Sequence, residues 1–326
     1  ENEGAQRLLD NLLTQLQETR LLKARGPPRT DSPPMVPAVR ALTRLENIGA
    51  TLRTALNSLA TIEPEWVQAQ VTPEWYERYG PRFEQYRFPK SKKEQEALVT
   101  QVGQDGYALL NAIYAEEEKF WLRDLPAVEI LRQVWVQQFW CNDGEIRLRD
   151  VKDTPPAHLA IRSPFDVEAR YCTKRKSGWV GYKVHLTETC DDDQPHLITH
   201  VETTTATLQD SKVMGLIQDD LAAMDLLPAE HLVDAGYVNG PQLVYSQQNH
   251  DIALVGPAPQ DTSWQARSEN GVTADEFTVD WDAHQVSCPT GHSSIIWQSS
   301  RSSRGQPVIR VYFDPAGCQA CNQRED

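Results

Sequence analysis

Apolar residues recur at helical spacing through the first half of the chain and at alternate positions through the middle of the second. Leu8, Leu9, Leu12, Leu13 and Leu16 share one face of a helix predicted over 5–22. Gly26-Pro27-Pro28 should stop it, and the Pro-rich residues 29–37 read as a short extended piece. From Val39 to about Ala60 a second helix is predicted, with Leu42, Leu45, Ile48, Leu52, Leu56 and Leu59 on one face. Pro64-Glu65-Trp66 and Pro73-Glu74-Trp75 each place a proline and an acid where a first helical turn takes them. Further helices are predicted at 92–121 and 126–140, so residues 38–140 read as almost entirely helical.

The period changes near residue 160. Val180, Tyr182, Val184 and Leu186 alternate with Gly181, Lys183, His185 and Thr187, which predicts a strand, and a second follows at about 196–204. Asp210-Ser211 can cap a helix carrying Val213, Met214, Ile217, Leu221 and Met224. His231-Leu232-Val233-Asp234 reads as a short buried strand, a helix follows from about Gly240, and Ile252-Ala253-Leu254-Val255 is a further strand. The order β-β-α-β-α-β predicts an α/β fold, a mixed sheet with helices on its faces. Residues 260–326 show weak strands and turns.

Composition narrows the function classes. The chain has 326 residues, 40% of them hydrophobic, so it can build a core and is not a disordered polymer. No window approaches the roughly 18 apolar residues of a membrane span, and Glu1-Asn2-Glu3-Gly4 is not a secretory leader. With 32 basic against 46 acidic residues the net charge is −14, which argues against a coat protein that binds nucleic acid non-specifically but leaves room for local basic patches. Six scattered cysteines do not form a disulfide scaffold, and a reducing cytoplasm is the expected location. A start without Met and an end just after a cysteine pair read as a chain truncated at both ends.

Two aspartates are candidates for chemistry. Asp234 ends an apolar strand, and in open α/β sheets ligands gather beyond the carboxyl ends of strands; capping of the next helix is the competing role. Asp31, in Arg29-Thr30-Asp31-Ser32, is by itself a turn or cap signal.

Longer blocks then narrow the reading. Lys23-Ala24-Arg25-Gly26 with Arg29-Thr30-Asp31-Ser32, the block Ser163-Pro164-Phe165-Asp166-Val167-Glu168-Ala169-Arg170, the run from Gly178 to Thr189, His196–Thr203, and His231–Tyr237 together resemble bacterial insertion-sequence transposases with a DDE domain. The resemblance is densest over 163–240. It implies a ribonuclease-H-like core interrupted by a large all-helical insertion. Residues 1–37 would hold a helix and the first core strand, 38–150 the insertion, 151–260 the core, and 261–326 a small β-rich segment. It further implies cleavage and joining of DNA with Mg2+ or Mn2+, because paired divalent ions can activate the attacking oxygen and stabilise the leaving one. Asp31 matches the first acid and Asp234 the second. The third, a glutamate, has no match: Glu230, Glu276 and Glu325 lack its context, and it is expected beyond Asp326. DNA ends and target are the implied partners, and a homodimer the implied assembly. One departure stands out, since Pro33-Pro34 replaces the family's Thr-His and removes two backbone donors next to the first acid. The alternative is a catalytically dead remnant that at most binds DNA or a partner subunit.

Two further groups remain. Arg162, Arg170, Lys174, Arg175, Lys176 and Lys183, with Trp179 and Tyr182 nearby, form a basic stretch able to touch phosphates and stack on a base, or else a solvated hairpin tip. Asp166 reads as structural or as a DNA contact, and His185 and His200 as sheet-face residues. Cys288, His292, Cys318 and Cys321 suggest a zinc site, with free thiols as the alternative.

Overall fold

A 13-residue strand organises the first part of the molecule, because its alternating pattern leaves both edges free to pair. The computed structural model describes residues 2–321 except 24, 39, 143, 175, 176, 259, 269, 270, 304, 306 and 320. The chain divides into two units, Glu1–Ala258 and Pro259–Asp326. In the first, α1 (Asn2–Glu18) leads to β1 (Pro28–Asp31) and β2 (Pro34–Met35). A helical stretch follows: α2 (Arg44–Ile62), α3 (Pro64–Gln70), α4 (Pro73–Tyr79), α5 (Lys92–Ala115) and α6 (Pro126–Gln138). Next come the hairpin β3 (Phe139–Asn142) and β4 (Glu145–Leu148), then β5 (Arg170–Lys174), the long β6 (Ser177–Thr189) and β7 (Ile198–Thr205). The unit closes with α7 (Met214–Ala223), β8 (Glu230–Val233), α8 (Gly240–His250) and β9 (Ala253–Val255).

Leu186 of β6 pairs with Asp31 of β1 and with Val201 of β7, so these two strands lie on opposite edges of β6. Both pairings are antiparallel, whereas β1 pairs parallel with β8, and β8 parallel with β9. The central order is therefore β7-β6-β1-β8-β9, a mixed sheet, with β5 and β2 completing the length of β6. The two prolines after Asp31 do not break this register. Asp31 faces Leu186 and Pro34 faces Lys183, three residues on along each strand, while the Pro33 carbonyl accepts from Val184 N at 3.2 Å. Proline lacks only its own donor, and here the ladder uses its acceptor.

Met214, Ile217 and Leu221 of α7 pack with Val233, Tyr237, Val238 and Leu254 into one core. The face beneath also carries a buried polar row. Thr30 Oγ1 lies 2.7 Å from Thr187 Oγ1 and 2.7 Å from His231 Nε2. Burial pushes His231 down to about 4, whereas an unfolded histidine titrates near 6.5. Between these values the unfolded chain takes up a proton that the folded chain refuses, so stability falls on acidification. Urea unfolding is expected to give a free energy about 2 kcal/mol lower at pH 5 than at pH 7 from this group, and His231→Gln should shrink the difference.

The helical stretch has its own core, in which Ile48, Leu52 and Leu59 of α2, Val102, Leu109 and Ile113 of α5, and Leu131, Val134 and Trp135 of α6 are buried together. Thr43 and Glu46 form a capping box that starts α2, so this helix begins after the Leu42 position rather than at Val39. Gly106 lets α5 approach α6: a Cβ there would strike the Trp135 indole, whose Nε1 donates to the Gly103 carbonyl at 3.0 Å. Residues 38–150 are not wholly helical, because β3 and β4 form a hairpin at their end. Its signal was Asp143-Gly144, a hairpin dipeptide, and Gly144 has φ +82°.

The second unit contains α9 (Trp264–Arg267), the hairpin β10 (Thr278–Asp280) and β11 (Gln285–Ser287), the hairpin β12 (Ile296–Arg301) and β13 (Pro307–Tyr312), and α10 (Pro315–Gln319).

Candidate active and metal site

Asp31 is the last residue of β1, and Asp234 follows the last residue of β8. These strands are parallel neighbours in which Thr30 stands opposite Val233, so the next step along each places the two aspartates side by side. Neighbouring strands run about 4.8 Å apart. Residues separated by two hundred positions thus emerge from the same end of the sheet. Both side chains are exposed.

Their anchoring is alike. Asp31 Oδ1 accepts from Ser32 N at 2.7 Å, and Asp234 Oδ1 accepts from Gly236 N at 2.9 Å. Among the described residues, neither Oδ2 has a hydrogen-bond partner. Each carboxylate is thereby oriented by one oxygen and offers the other outward. Asp234 does not cap α8, a role taken by Asn239, whose side chain accepts from Gln242 N. Two hard oxygen donors at neighbouring strand ends are a set that suits Mg2+ or Mn2+.

A third carboxylate lies near this pair, although the three are not gathered into one tight ligand cluster among the described residues. Asp210 was expected to cap the helix that follows, but α7 has no side-chain cap, and Asp210 instead turns toward the strand ends. Its Oδ2 accepts from Ser32 Oγ at 3.0 Å and its Oδ1 from Lys183 Nζ at 2.7 Å. Lys183 also donates to the Leu208 carbonyl at 2.7 Å. Both side chains of this ion pair are only 13% exposed. Asp210 Oδ2 and Asp234 Oδ1 each lie 3.0 Å from the place a Cβ on Gly236 would occupy, so the glycine makes room between them. Sequence reasoning passed over Asp210. The signal was Lys183: it alternates onto the same face as His185 and Thr187, both buried, and a lysine there needs an anionic partner.

Tyr237 underlies the pair. It is fully buried, and burial first, then Asp210, pushes its hydroxyl well above the ordinary tyrosine range, so it stays protonated. The hydroxyl is hydrogen-bonded to His185 Nδ1 at 2.6 Å, and the other ring nitrogen, Nε2, lies 3.0 Å from Thr204 Oγ1. Burial holds His185 below its usual pKa, which keeps it neutral.

The basic residues are placed unequally. Lys174 stands near Asp31, with Nζ 4.0 Å from Oδ1, and donates to the Ser32 carbonyl at 3.1 Å. Arg170 is turned inward onto the carbonyls of His158, Val167 and Ala169. Lys183 is held by Asp210, as above. Arg175 and Lys176 lie outside the described residues. Asp166 is structural, since its Oδ1 accepts from Tyr182 OH at 2.6 Å and Ala169 N at 3.1 Å.

In the second unit Cys288, His292, Cys318 and Cys321 all line one cavity of about 290 Å3. Cys288 Sγ lies 3.0 Å from Thr290 Oγ1 and 3.9 Å from His292 Nδ1. The Thr290 hydroxyl, then the N–H groups of His292 and Thr290 and the His292 ring, hold the thiol down to about 7. Cys318 and Cys321 do not join these two in a tight cluster; the described residues gather such a cluster elsewhere, at His200, Glu202 and Asp220.

No protein-family model matches this chain. Comparison with curated proteins gives no match. No solved structure matches it. No helix among the described residues is long and apolar enough to cross a membrane.

Proposed function

We propose that this chain is the catalytic region of a DNA transposase of the DDE kind, built on a ribonuclease-H-like core, with Asp31 and Asp234 as two of its metal-binding acids. The observation that carries the reading is the placement of these two carboxylates at the ends of adjacent parallel strands. The strand order β7-β6-β1-β8-β9, with β6 alone running against its neighbours, supports the ribonuclease-H-like assignment. A bound Mg2+ or Mn2+ would polarise the scissile phosphate and the attacking oxygen. The chain's own part is to hold the two carboxylates in register, through Ser32 N and Gly236 N, and to keep their free oxygens turned outward. Lys174, beside Asp31, is placed to meet a phosphate of the DNA backbone. The substrate is DNA at transposon ends and target, and the working assembly is a homodimer in the cytoplasm.

One observation favours the second reading, a remnant that binds DNA without cutting it. The remaining carboxylate at the site, Asp210, is neutralised by Lys183 and is not free to serve as a third metal ligand. Nicking of supercoiled plasmid by the full-length protein in Mn2+ or Mg2+, against an EDTA control, separates the two. Metal-dependent nicking supports the enzyme, while retained DNA binding with no nicking selects the remnant.

The cysteine cavity is part of the same proposal, as a structural zinc site. Thiolate is the form that ligates zinc, and Cys288 is already poised toward it. Cys288→Ser is expected to lower the zinc content of purified protein by about one equivalent per chain by atomic absorption. A fall of less than about half an equivalent on that substitution would remove this site from the reading.

A further inference from the structure

A second group of metal-ligating side chains stands apart from the aspartate pair, on the outer edge of the sheet. His200 and Glu202 are two residues apart on β7, so they project from the same face. β7 pairs with β6 alone, which makes it an edge strand. Asp220 reaches the same spot from α7. One ligand atom from each of the three lies within 4.8 Å of the other two.

The geometry and the chemistry both favour a cation. His200 Nε2 and Asp220 Oδ2 are 3.1 Å apart, a direct hydrogen bond that a bound ion would replace with little movement of either atom. Donors each about 2.1 Å from one ion, at right-angle to tetrahedral separation, are themselves about 3.0–3.4 Å apart. His200 is 4% exposed and its Nδ1 has no hydrogen-bond partner, so the buried ring presents only its Nε2 edge, and that edge faces the acids. Glu202 is half-buried and has no hydrogen-bond donor among the described residues, although it sits beside the Asp220 charge. No lysine or arginine forms an ion pair with either acid among the described residues. Of the two carboxylates, Asp220 is met by the His200 ring, which is charged only when protonated, and Glu202 by no lysine or arginine among the described residues, a balance that a bound dication would complete.

We propose that His200, Glu202 and Asp220 bind one divalent first-row transition-metal ion, Zn2+ or an ion of similar donor preference, and that the ion ties α7 to the edge strand β7. The mixed nitrogen and oxygen donor set suits such an ion better than Mg2+ or Ca2+, which prefer oxygen alone. A water completes the coordination, as in open sites with three protein ligands. The role is structural: α7 follows the Asp210 segment directly, so fixing α7 on β7 also fixes where Asp210 meets Ser32. The proposal does not rest on the transposase reading.

Calorimetric titration of the full chain with Zn2+, in excess Mg2+ to occupy the aspartate pair, tests it. Asp220→Asn and Glu202→Gln change partly exposed side chains and should leave the fold intact. In each, one Zn2+ site is expected to weaken roughly 100-fold or more, since even outer partners of metal ligands contribute 10–100-fold. Cys288→Ser should leave that site unchanged. His200→Ala should remove it, and the two carboxylate variants keep the test valid if that protein does not fold. If both carboxylate variants titrate like the unmutated chain, or if Cys288→Ser removes all Zn2+ binding, the proposal is wrong.

Discussion

Alanine in place of Asp234 is expected to lower metal-dependent DNA nicking by about 10³-fold or more while leaving the fold unchanged. The side chain is exposed and holds only a local turn through Gly236 N, so its loss should cost about 1 kcal/mol of stability or less. The activity effect is of another order. A phosphate ester under attack gathers charge that a bound dication neutralises, and that is worth several kcal/mol. At 1.36 kcal/mol per decade, about 4 kcal/mol corresponds to the stated factor. Asp31→Asn should behave likewise, because its carboxylate is oriented in the same manner by Ser32 N. The two losses should not add, since removing either acid disables one shared site. Plasmid nicking in Mn2+ across a range of metal concentrations reads both effects. Nicking that survives Asp234→Ala at an unchanged rate would remove Asp234 from the chemistry.

Methionine in place of Lys183 is expected to destabilise the first unit by about 3–5 kcal/mol, because it leaves the Asp210 carboxylate in a mostly buried place with no countercharge. The double variant Lys183→Met with Asp210→Asn should recover a large part of that loss, since no unpaired charge then remains. Urea unfolding at neutral pH measures both. An isolated surface pair would be worth a few tenths of a kcal/mol to about 1 and would weaken with salt; this pair should keep its effect in high salt. A loss below about 1 kcal/mol for Lys183→Met would show that Asp210 finds water or another donor. A second readout belongs to the site: Asp210 accepts from Ser32 Oγ, and Ser32 N orients Asp31, so the single variant should also weaken Mn2+ binding at the aspartate pair.

The elements themselves were legible because their signals are local. The β6 alternation, the α7 stripe of Met214, Ile217 and Leu221, and the Leu-rich face of α2 each follow from spacing within one segment. Boundaries moved where a cap outranked the apolar pattern, as at Thr43, and the β3–β4 hairpin was missed because residues 126–140 read as one helix. Asp234 could be named because it closes an apolar strand before a turn, whereas Asp31, by itself a turn signal, could be named only through the resemblance of its block to the first-acid region of insertion-sequence transposases.

What the chain determined by itself was therefore most of the helices and the main strands of the first unit, and their order along the sequence. Only the tertiary structure decided which strands lie side by side, because parallel pairing joins segments two hundred residues apart through crossovers that no local period encodes. The same holds for Asp210, which precedes α7 and whose partner Lys183 lies on β6, and for His200, Glu202 and Asp220, which meet across a strand and a helix. Charge and coordination act through space over a few ångströms, and sequence distance says nothing of that separation until the sheet is closed.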